Sequence, residues 1–136
     1  MGNEVGYEVI LDKPFSDALV LLEGALKTEG FGILTRLDVQ DLLKQKLNVD
    51  FRPFAILGAC NPPLAYKAIS GDPRTALMMP CKITVEAGPG DGSTIRFANP
   101  AMMIGFSEEA GKAVITEAAS EVDNKIMKVV EALRGF

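Results

Sequence analysis

Five turn-forming residues, Gly88-Pro89-Gly90-Asp91-Gly92, stand between two stretches that alternate apolar and polar side chains. Glycine reaches positive φ at no steric cost and proline cannot extend a ladder, so the segment turns the chain and its flanks pair as an antiparallel hairpin. Before the turn, Cys81, Ile83 and Val85 share one face and Lys82, Thr84 and Glu86 the other; after it, Ile95 and Phe97 point inward. A hairpin this late in the chain argues against a doubly wound parallel sheet, in which a crossover helix separates successive strands. The glycines also invite a phosphate-loop reading, but such a cradle leads into a helix N-terminus, and here a strand follows.

Upstream, strands and helices alternate. Tyr7 to Leu11 is a β-prone run stopped by Asp12-Lys13-Pro14. Phe15, Ala18, Leu19, Leu22 and Leu26 fall at helical spacing, with Ser16 placed to cap the helix and Gly30 to end it. Phe31, Ile33, Thr35 and Leu37 form one face of a second strand, whose expected partner is the first. Asp38 is expected to cap a short second helix through Leu47, whose stripe of Val39, Leu42, Leu43 and Leu47 should lie over the sheet. Within Phe51 to Cys60 the third strand proper is Phe54 to Ala59; Asn61-Pro62-Pro63 breaks it before two helical turns over Leu64 to Ile69, ended by Gly71-Asp72-Pro73. Leu77 to Val85 is the expected fourth strand and Ser93 to Ala98 the fifth. Ser107 with Glu108 and Glu109 opens a long last helix, where Ile115, Ala119, Val122, Ile126, Val129 and Leu133 repeat at alternating steps of four and three. The order β-α-β-α-β-α-β-β-α predicts a two-layer α+β fold, with an antiparallel or mixed sheet of about five strands packed by helices.

A chain of 136 residues, 48% apolar and 24% charged, has the size and balance of one globular domain spanning residues 1–136. A formal charge of −4 with dispersed Lys and Arg argues against nucleic acid as a partner. The longest apolar runs, such as Ala18 to Leu22, fall far short of the roughly 20 residues of a membrane span. No secretory signal is visible before Tyr7, and Gly6 occupies the position where myristoylation wants Ser or Thr, so the expected compartment is the cytoplasm, with free thiols.

Gly30-Phe31-Gly32-Ile33-Leu34-Thr35 and Phe51-Arg52-Pro53-Phe54-Ala55-Ile56-Leu57-Gly58-Ala59-Cys60-Asn61-Pro62-Pro63-Leu64-Ala65 resemble the family called domain of unknown function 302. Met79-Pro80-Cys81 looks like that family's Leu-Pro-Cys element with methionine in the leucine position, and Ala98-Asn99-Pro100 resembles its Asp-Pro step, with asparagine in place of the carboxylate. The resemblance runs from the first strand to the last helix. It implies a compact two-layer α+β fold, commonly a homodimer, and no particular activity, so no functional residue carries over.

Histidine is absent, which removes the usual general base, the Ser-His and Cys-His nucleophile pairs and the commonest transition-metal ligand. Two cysteines complete a zinc site only with carboxylates or a second subunit, so neither a metal nor a cofactor is expected. Cys60 is the strongest candidate, because it lies at a strand-to-helix junction where a thiol pKa can fall; against this, Pro62 and Pro63 remove two N–H groups, and free cysteine is commonly core. Asn61 is placed to cap the helix or meet a ligand, and Lys67 to supply a positive charge if it turns inward. Cys81 is core when taken alone; a register bringing it near Cys60 makes a redox pair. Met78, Met79, Met102 and Met103 bracket this region, as gap-fillers or as the lining of a pocket. The acidic residues of the last helix suit a solvated face, and Val114, Ala118 and Val130 form a second stripe available to a dimer.

The favoured reading is therefore a non-catalytic domain binding a small ligand or partner, homodimeric, with its site at Cys60, Asn61, Lys67 and Cys81. The alternative is a thiol-dependent redox enzyme or sulfur carrier using Cys60 with Cys81. A purely structural assembly subunit is the third.

Overall fold

The computed structural model describes residues 6–101 and 109–136. Strands β1 (Gly6–Leu11), β2 (Gly32–Asp38), β3 (Phe54–Cys60), β4 (Cys81–Ala87) and β5 (Ser93–Ala98) form one sheet in the order β1-β5-β4-β3-β2, antiparallel throughout. Helices α1 (Phe15–Thr28), α2 (Val39–Leu47) and α3 (Pro62–Gly71) join the first four strands, and α4 (Glu109–Arg134) follows β5. The α+β class and the order of elements are those read from the sequence.

Alternation along the strands builds the core. Val9 and Leu11 of β1, Ile95 and Phe97 of β5, Ile83 and Val85 of β4, and Ala55, Leu57 and Ala59 of β3 are buried on one face. Against them pack Ala18, Leu22 and Leu26 of α1 and Val122, Ile126, Val129 and Leu133 of α4. Each large side chain removed from water there contributes about 1.5–3 kcal/mol. Ala119 is buried too; Ile115, Ser107 and Glu108 lie outside the described residues or side chains. The hairpin closes as expected, with Gly88 N donating to Gly92 O at 2.8 Å and both Gly88 and Gly90 at positive φ.

Several local expectations are corrected. β2 pairs with β3, not with β1. β1 and β2 run in the same direction at opposite edges, and the antiparallel strands β3, β4 and β5 fill the space between them, so the adjacency of consecutive strands gives way to an all-antiparallel ladder. The single face expected of β2 is interrupted by a bulge between Ile33 and Thr35: Ile33 stands opposite Ala59 on the helix side, whereas Thr35 meets Gly58 and Leu37 meets Ile56 on the other. β4 begins at Cys81 rather than Leu77, because Pro73–Met78 is a 3-10 helix capped by Asp72, which accepts from Arg74 N at 3.0 Å. α2 buries no residue, and Leu47 is exposed.

Three further expectations change. α1 starts after Pro14 with no side-chain cap, so Ser16 is not the cap. Asp38 precedes α2 but its Oδ1 accepts from Arg36 Nε at 2.9 Å instead of capping. The stripe offered for dimerisation faces inward, since Ala118 and Val130 are fully buried, Val130 in the core and Ala118 beside Ala68, Met78 and Met79; the Val114 side chain lies outside those described.

Candidate functional site

The C-terminal end of β3 lies beside the N-terminal end of β4. Ala59 stands opposite Cys81, so Cys60 is one residue beyond that pair on the neighbouring strand. The chain then turns at Asn61 into α3, with Pro62 and Pro63 at helical positions whose N–H groups would lack intrahelical partners in any case. Asn61 is buried and bonds at both ends of its amide. Its Oδ1 accepts from Leu64 N at 3.4 Å, capping α3, and its Nδ2 donates to Glu29 O at 3.1 Å, tying α3 to the end of α1.

Two glycines make room for this junction. Gly30 has φ +82°, and a Cβ there would sit 3.1 Å from Asn61 Nδ2. A Cβ on Gly58 would meet Thr35 Oγ1 at 2.2 Å and Pro80 Cγ at 2.3 Å, closer than atoms can approach. Gly58 thus lets β2 and the segment before β4 close over β3.

Between these strand ends, α3 and α4 lies a cavity of about 300 Å³. Cys60, Asn61 and Cys81 line it together with Met79, Pro80 and Thr35; Phe31, Leu64, Ala68 and Val122 supply hydrocarbon walls. Both cysteines are half-buried and free. Burial pushes the Cys81 thiol up, and the neighbouring Cys60 adds to this against an opposing effect of Lys82, so Cys81 is held in the protonated form.

Lys67 does not line the cavity. Its Nζ lies 2.7 Å from Glu117 Oε1 and 2.8 Å from Glu121 Oε1, clasping α3 to α4. Those two hydrogen bonds raise the Lys67 pKa, and Lys67 in turn lowers that of Glu117. A wider groove of about 580 Å³ runs along α1 past Lys27, Glu23 and Arg36, but neither thiol belongs to it. Among the described residues no three His, Cys, Asp or Glu side chains converge on one point.

Sequence reasoning missed the walls. Leu64, Ala65, Ala68 and Ile69 recur at helical spacing and were legible as a stripe, whereas Phe31, Leu34 and Thr35 reach the cavity only because β2 pairs with β3. Met102 and Met103 lie outside the described residues.

The family model for the domain of unknown function DUF302 matches residues 7–133. The chain belongs to this family. A solved DUF302 structure, the crystal structure of an uncharacterized conserved protein from Bacillus stearothermophilus, superposes with a TM-score of 0.83 at 26% identity, covering 97% of this chain and 100% of that one. No curated protein matches the chain. Membership of the DUF302 family accounts for the fold and bears out the resemblance of the Gly30 and Phe51 segments. No helix among the described residues is long and apolar enough to cross a membrane.

Proposed function

We propose that this DUF302 domain is a cytoplasmic, homodimeric, non-catalytic binding protein whose site is the cavity beside Cys60-Asn61-Pro62-Pro63. The cavity itself carries the reading: at about 300 Å³ it lies at the small end of ligand sites, roughly 300–1,000 Å³, and its few polar groups are set in apolar walls. Saturable binding of a small apolar fluorescent probe tests it. Ala65→Trp, which fills the cavity from the half-buried side of α3, abolishes binding if the probe sits there; equal binding by both proteins sinks the assignment.

One observation favours thiol chemistry as a second reading, namely that both cysteines line the same cavity. The raised Cys81 pKa counts against Cys81 as the nucleophile and leaves that role to Cys60. Native-state alkylation against pH, mapped for each cysteine, separates the readings. Rapid labelling of Cys60 at neutral pH supports the enzyme or sulfur carrier, and labelling of both thiols only on unfolding removes it.

A further inference from the structure

The cavity beside Cys60 offers no charge to a ligand. Its polar side chains are Thr35, Asn61 and the two thiols, and among the described residues no carboxylate, ammonium or guanidinium lines it. Each end of the Asn61 amide already holds a hydrogen bond, to Leu64 N and to Glu29 O. Lys67, the one cation of α3, is turned away to Glu117 and Glu121. The rest of the wall is hydrocarbon and the Met79 thioether.

That lining discriminates among ligand classes. An ion leaving water for apolar surroundings is strongly disfavoured unless an opposite charge meets it, which rules against phosphates, carboxylates and ammonium compounds. A sugar fares no better, because each buried hydroxyl left without a partner costs binding. A neutral, hydrocarbon-rich molecule gains simply by leaving water. Size narrows the class further: about 300 Å³ is twice the roughly 150 Å³ of a hydrocarbon-lined cavity that admits one benzene, so two fused rings fit.

Two residues of the wall also face water. Leu34, on the edge strand β2, is 69% exposed, and Ile69 of α3 is 40% exposed. They mark the mouth, and an apolar occupant reaching it covers hydrocarbon that the folded chain otherwise leaves wet.

We infer that the cavity takes an uncharged, hydrocarbon-rich molecule the size of two fused rings, entering between Leu34 and Ile69, and discriminates against anions and cations built on the same skeleton. This rests on the binding reading above and names the class of its ligand.

The test is titration calorimetry of the intact chain at neutral pH with naphthol, naphthoate and (naphthylmethyl)ammonium, one skeleton carrying three charges. Naphthol is expected to bind one per chain and more than about tenfold tighter than either ion. Leu34→Lys, which sets an ammonium at the mouth, is expected to raise naphthoate affinity by up to about fivefold, the worth of an exposed ion pair, and to weaken the binding of the ammonium compound. The comparison of the three ligands needs no variant, so the inference stays testable if the substitution unfolds the chain. Either ion binding as tightly as naphthol, or a folded Leu34→Lys protein whose affinities for both ions are unchanged, overturns it. Saturable binding of the apolar fluorescent probe without naphthol binding overturns this inference alone; failure of both removes the binding reading as well.

Discussion

Asn61 shows how much one side chain organises. Its amide caps α3 and holds the end of α1, so Asn61→Ala loses two hydrogen bonds at a buried junction and is expected to cost about 1–2 kcal/mol in urea unfolding. Asn61→Asp keeps the acceptor for Leu64 N but replaces the donor to Glu29 O with a second oxygen, so it should be no less damaging than alanine; a fully stable Asp variant would show that the Glu29 bond is unimportant. Gly58→Ala is expected to lower stability by about 1–3 kcal/mol, because Pro80 is a rigid ring and cannot swing away. An unchanged urea midpoint would mean that the strands relax around the methyl group. The need for glycine at position 58 was not legible locally: it arises from Thr35 and Pro80, 23 residues before and 22 after.

At the scale of elements, charge couples strands and helices. The sheet face opposite α1 and α4 carries Glu8, Arg96 and Glu86, joined across β1, β5 and β4 and continued by Arg52 beside β3. Burial alone would raise the Glu86 carboxyl, but hydrogen bonds from Arg96 and Arg52 outweigh it and hold the pKa below the ordinary 4.5. With the folded value depressed, this stabilisation is complete above pH 4.5 and is lost as pH falls through the folded-state value. Glu86→Gln should therefore flatten the acid limb of a stability profile, and a profile identical to the parent would discount the network. Between α3 and α4, Lys67→Met removes the clasp to Glu117 and Glu121 without touching the cavity wall. Probe affinity is expected to stay unchanged; a clear loss would restore Lys67 to the site.

For the whole molecule, α1 and α4 cover one side of the sheet and, among the described residues, the other carries exposed apolar groups, Ile10 at 60% and Leu37 at 43% of their full surface. That face is the surface through which the proposed homodimer is expected to form, since the inward-facing stripe of α4 is unavailable. Sedimentation equilibrium should give twice the chain mass for the parent protein and a shift toward monomer for Ile10→Lys with Leu37→Lys. A parent that stays monomeric at high concentration would remove the dimer from the proposal.

The sequence by itself determined the class, most strand and helix identities, the hairpin, the inward stripe of α4 and the junction at Cys60-Asn61, because these depend on periodicity, turn chemistry and capping within a few residues. Tertiary structure alone decided that β2 lies beside β3, that Cys60 and Cys81 share a cavity with Met79, and that Lys67 turns to α4. Strand order and side-chain convergence depend on contacts between distant segments, and a local pattern that suits a half-buried strand is equally satisfied beside several partners.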